Sequence, residues 1–202
     1  MALGTIADMA VWIHFMGLIP GLLYALAADA TALQSLRRPL AQAEIQRLVD
    51  YHRIISIALV LLWASGLTLI WLKLGPGGGT LTPKLMVKIA VVLMLTANAT
   101  AIGQIGLSTM AARREQRFGD LPARLRLGLG AIAGLSAGCW LSAFALGMVK
   151  PLASMGFADL ALRLGPAFLL CLLAGLALAT IAPDFARVQD DAPDDPNAVP
   201  QH

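Results

Sequence analysis

The sequence predicts an all-α fold, a polytopic transmembrane helix bundle of five spans. Three observations predict it. Of the 202 residues, 58% are apolar and 13% charged, against about 45–50% and about 25% in globular domains. The apolar residues fall in blocks of about 20, the length a helix needs to cross the hydrocarbon core. The blocks lack the period-two alternation of membrane β-strands.

The first span covers residues 9–28, between Asp8 and Asp29. It has no basic leader and continues for a full span, so no secretory signal peptide is expected. After Pro39, Leu40, Ile45, Leu48 and Val49 recur at helical spacing among Gln42, Glu44, Gln46 and Arg47. This predicts an amphipathic surface helix over residues 40–53 that turns directly into the second span, residues 54–72. Gly75-Pro76-Gly77-Gly78-Gly79 predicts a turn; it lacks the Gly-Lys-Ser/Thr of a phosphate loop. The third span covers residues 85–107, the fourth 127–149 and the fifth 164–182, the last two stopped by Lys150-Pro151 and Pro183. Residues 1–183 form a single bundle, and 184–202, rich in Asp and Pro, read as a disordered acidic tail.

The net charge of +3 is small and its arginines are local, so no nucleic-acid partner is expected; the lipid bilayer is the expected partner. Arg37, Arg38, Arg47 and Arg53 follow the first span, and Arg113, Arg114, Arg117, Arg124 and Arg126 follow the third. The other two connections carry only Lys73, Lys84, Lys150 and Arg163. The positive-inside rule places the arginine loops in the cytoplasm, the N-terminus outside and the C-terminus inside. The expected location is a bacterial inner membrane.

Helices in lipid associate through small residues. Gly130, Gly134, Gly138 and Ser142 mark one face of the fourth span, Gly17 and Gly21 the first, and Cys171, Gly175 and Ala179 the fifth. These ridges serve a compact bundle or a homo-oligomer equally. Cys139 and Cys171 read as small packing residues.

Polar groups at membrane depth are costly and carry the functional signal. His14 lies about 8 Å, and Lys88 about 6 Å, below the outer ends of their spans at 1.5 Å per residue. Their depths match. His14 shares a helix face with Gly17 and Gly21, which points it into the bundle; Pro20 frees the carbonyl of Met16. Lys88 either snorkels to the interface or has a buried role. Asn98, at mid-span, predicts an interhelical hydrogen bond. His52 reads as an interfacial residue, too far in depth to join His14. No H-x-x-x-H, H-E-x-x-H or Cys/His cluster is present, against a zinc site. No paired intramembrane carboxylates offer a proton relay.

Trp12-Ile13-His14 with Gly17, Gly21 and Leu23-Tyr24 resembles the first span of HemJ-type protoporphyrinogen oxidases and CopD-type copper-resistance membrane domains. Ile45-Gln46-Arg47-Leu48 through Trp63-Ala64-Ser65-Gly66-Leu67-Thr68 resembles their second span. Lys84-Leu85-Met86-Val87-Lys88 with Leu95-Thr96 is similar to the third span of the HemJ type. The resemblance covers roughly the first 110 residues. It departs from the HemJ type at Ala27-Ala28-Asp29, where that family carries basic residues, in the fifth span with its acidic tail, and in lacking a histidine in span three.

The resemblance implies a heme b whose iron is held by His14, with Lys88 near the heme or its propionates, and a membrane oxidoreductase activity. Two other readings stay open. One is a copper or small-solute transporter using His14, Met16 and Met9 as ligands, although Met9 and Met16 fall on different helix faces. The other is a non-enzymatic accessory subunit whose glycine ridges and tail contact a larger membrane complex.

Overall fold

The computed structural model describes residues 2–75 and 78–190. Among them are five helices long and apolar enough to cross a membrane, and no strand. They are α1 (Ala2–Leu33), α2 (Gln42–Leu74), α3 (Pro83–Ala112), α4 (Ala123–Met148) and α5 (Phe157–Asp190).

Each helix outruns the span expected from its apolar block. The 33 residues of α2 reach about 50 Å, against a hydrocarbon core of about 30 Å. The surface segment and the second span are therefore one continuous helix. Its start is fixed by Glu44, whose carboxylate accepts the Ala41 N–H at 2.8 Å and pairs with Arg38 through both guanidinium nitrogens at 2.8 and 2.6 Å. Helix α3 begins at Pro83, its fixed φ suited to a first turn, and the Thr82 hydroxyl accepts the Leu85 N–H. Gly78, at φ 58°, adopts the left-handed backbone that leads out of the preceding turn; Pro76 and Gly77 lie outside the described residues. Helix α5 runs through Pro183 to Asp190. Residues 184–190, expected as the start of the tail, are helical, and 191–202 lie outside the described residues.

The bundle is two antiparallel hairpins, α1–α2 and α4–α5, joined through α3. A methyl group on Gly17 would stand 2.8 Å from the Ala58 carbonyl, so α1 and α2 meet backbone to backbone there. In the second hairpin the contacts step regularly. Gly130 meets Gly175, Gly134 meets the Cys171 carbonyl and Gly138 meets the Phe168 ring. The glycine groove of α4 is thus filled by α5 within one chain. Gly21 of α1 receives the Trp140 ring of α4 and locks the hairpins together.

In α4, 44% of the most apolar window is buried, but in α5 only 6%. Helix α4 is therefore the central post and α5 a peripheral one. The main core gathers Leu18, Leu59, Leu62, Val91, Leu95 and Trp140 from four helices. Asn98 donates from Nδ2 to the Ile132 carbonyl at 3.1 Å, the interhelical bond expected of it. Arg126 is more than a topology signal: its guanidinium donates to the carbonyls of Ala179, Gly119 and Leu121, tying α5 to the loop before α4.

The helix directions give the bundle two chemically distinct ends. One carries the arginine loops. The other carries Lys73, Lys84, Lys88 and Lys150, and there the Lys84 ammonium donates to the Val149 carbonyl at 3.3 Å, joining the start of α3 to the end of α4.

Candidate functional site

His14 of α1 and Lys88 of α3 both lie toward the lysine end. One turn deeper than each, Leu18 and Val91 pack in the same core cluster. The charge of Lys88 bears on the His14 ring across the bundle. The charges of Lys84 and Lys73 reach Lys88 in turn. Among the described residues none of these three lysines forms an ion pair. Like charges gathered at the edge of a low-dielectric slab repel strongly, and an anion between them relieves that repulsion.

His14 is half-buried and oriented from α2. Its Nδ1 lies 2.9 Å from the Ser65 hydroxyl oxygen. Ser65 is 3% exposed, and its only proton is donated to the Leu61 carbonyl one turn back. With its proton directed to Leu61, the Ser65 oxygen is placed to accept from His14 in the tautomer that carries hydrogen on Nδ1. In the neutral ring this leaves Nε2 with a free lone pair. Gly66, next to Ser65, passes the ring edge: a Cβ there would lie 3.7 Å from Cε1. Two residues from Ser65, the Trp63 indole donates to the Thr96 hydroxyl at 3.0 Å, and Thr96 donates to the Val92 carbonyl. This bond ties α2 to α3 on the side that carries Lys88.

Ser65 was not singled out from sequence as a site residue, because a serine within an apolar block usually bonds its own helix at i−4. It does so here as well. Its second role, as acceptor for His14, is visible only once α1 and α2 are in register. Met9 and Met16 are 59% and 63% exposed on the lateral face of α1. Among the described residues no three His, Cys, Asp or Glu side chains converge on a metal-sized site.

His52, expected at the cytoplasmic start of the second span, packs against α3. It is half-buried and turns inward against α3. A Cβ on Gly103 would stand 3.0 Å from its Nε2. Gly103 lies in a π-helical turn, Ile102–Leu107, that interrupts α3. Such turns shift the backbone register and recur at functional positions. His52 and Asp29 both line a cavity of about 380 Å³ at the arginine end, remote from His14 along the chain of every helix. No family model, no curated protein and no solved structure matches this chain.

Proposed function

We propose that this chain is a heme-b-binding membrane redox protein of a bacterial inner membrane, in which His14 would hold the heme iron near the outer end. The arginine end faces the cytoplasm, the N-terminus lies outside and the C-terminus inside, in keeping with the positive-inside distribution. The observation that carries the reading is the His14–Ser65 pair, which presents a bare Nε2 on an oriented imidazole. Histidine ligands are ordinarily held in this way, with the other ring nitrogen donating to a fixed acceptor.

The donor chemistry at this end fits the group. A neutral imidazole is a standard heme ligand, and the lysines, without an ion-pair partner among the described residues, suit its two carboxylates. The arginine-end cavity fits it poorly. Among the described residues the one formally charged side chain lining that cavity is the acidic Asp29, which would face the propionates without a lining cation.

Bound heme supplies one-electron transfer. The chain's own residues have separate tasks. Ser65 fixes the tautomer and orientation of His14. Lys88, with Lys84 and Lys73 behind it, sets a positive field at the site and favours anionic groups over cationic ones. Leu18, Leu62 and Val91 belong to the buried core of the bundle.

The test is an absorption spectrum of the detergent-purified protein from heme-replete cells, oxidised and then reduced with dithionite, beside His14→Ala. A Soret band with reducible α and β bands, lost in the variant, is the expected result. A featureless spectrum from folded wild-type protein overturns the reading.

A further inference from the structure

The cavity at the arginine end is a second candidate site with different chemistry. All five helices contribute to it: residues 25–36, 48–59, 95–110, 129–140 and 171–178 hold most of its lining, with Phe118 from the loop before α4. Its volume of about 380 Å³ falls in the range of small-molecule pockets, about 300–1,000 Å³. The space exists because the helices present small side chains there, among them Ala28, Ala99, Ala133, Ala137 and Ala174. The π-helical turn of α3 carries Gly106 on its wall.

The lining is apolar almost throughout, so its few polar groups decide the ligand. Asp29 is half-buried and, among the described residues, takes part in no hydrogen bond or ion pair. Among the described residues no lysine or arginine lines the cavity. The His52 ring likewise has no hydrogen-bond partner among the described residues. A carboxylate facing an apolar space without a counter-charge is expensive, and a cation entering that space removes the cost. Two aromatic side chains, Trp140 and Phe118, also line the cavity, and aromatic faces attract cations once water is excluded.

We propose that this cavity binds a hydrophobic monocation, an amine or onium ion whose apolar groups fill the space between the helices and whose charge is met by Asp29. The two ends of the bundle then have opposite preferences: the lysine end favours anions, and the arginine-end cavity favours cations. This proposal does not depend on the heme reading.

The experiment uses the full chain in nanodiscs of zwitterionic lipid, with empty nanodiscs as the blank. The probes are tetraphenylphosphonium and tetraphenylborate, which match in shape and differ in the sign of charge. Equilibrium dialysis should show saturable binding of the cation at one site per chain and none of the anion. Asp29→Asn should weaken cation binding about tenfold or more, the scale of a lost charged contact. Asp29→Glu should retain it within a few-fold, and Ala133→Leu should abolish it by filling the space. His14→Ala should leave it unchanged, which separates this site from the heme reading. Variants enter the comparison only with wild-type elution and circular dichroism; if Asp29→Asn fails that check, Asp29→Glu and Ala133→Leu decide. The proposal is overturned if the wild type shows no saturable cation binding or the anion binds equally well. It is also overturned if Asp29→Asn binds as the wild type does, or if Ala133→Leu leaves binding intact. Saturable binding of a neutral quinone, with the cation excluded, would reassign the cavity to uncharged ligands.

Discussion

Replacing Ser65 with alanine tests how His14 is held, whatever ligand the histidine takes. In the wild type the Ser65 proton is engaged by the Leu61 carbonyl, so the hydroxyl oxygen stabilises only the Nδ1–H form of the imidazole. A hydrogen bond of this kind contributes about 0.5–1.5 kcal/mol net. With RT near 0.59 kcal/mol, that multiplies the ratio of Nδ1–H to Nε2–H tautomers by about 2- to 13-fold. Alanine removes the acceptor and leaves the helix intact, because the lost hydroxyl bond to Leu61 only duplicates a backbone interaction. The assay is ¹⁵N NMR of histidine-labelled protein in detergent, with His14 assigned by His14→Gln. The wild type should show His14 protonated at Nδ1 and bare at Nε2. In Ser65→Ala the population should move toward Nε2–H by the factor above, while Ser65→Thr, which keeps a hydroxyl, should move it much less. A wild-type His14 protonated at Nε2, or a tautomer ratio indifferent to Ser65→Ala, would refute the argument and with it the case for a presented Nε2.

Three further outcomes follow from the packing. Gly130→Ala should destabilise the bundle by about 1–3 kcal/mol, the usual cost of overpacking, since its methyl would meet Gly175 and Ala179. Gly128→Ala, with open space around its Cβ, should be neutral or stabilising by up to about 1 kcal/mol from helix propensity. Thermal unfolding followed with a thiol-reactive dye, which reads exposure of the fully buried Cys139, separates the two, and equal midpoints would contradict the packing. Asn98→Ala should cost about 1–2 kcal/mol in the same assay, because the Ile132 carbonyl loses its donor and a void forms at a 3% exposed position; an unchanged midpoint would count against that bond. Trp63→Phe should loosen α2 from α3 by removing the bond to Thr96, seen as faster amide exchange around Thr96. Exchange unchanged there would show that the indole N–H is not holding the two helices.

What the sequence by itself determined is what the bilayer imposes on each helix separately. The number of spans, their apolar blocks and their alternating direction follow from local composition and from where the arginines fall, because lipid cannot hydrogen-bond a free backbone. Depth is legible too: counting residues along a helix set His14 and Lys88 at the same level, since rise per residue is fixed. The small-residue ridges and the interhelical role of Asn98 were visible for the same reason. What only the tertiary structure decided is lateral arrangement. A ridge on α4 carries no mark of whether α5 or a second chain will fill it, because lipid and leucine surfaces are equally apolar and the partner is chosen by shape. Register between α1 and α2 made Ser65 the acceptor for His14. The π-helical turn in α3, unmarked in the sequence, accompanies the inward turn of His52. The cavity with its lone Asp29 arises where small residues of all five helices leave space at one end, a property of their joint packing that no single helix contains.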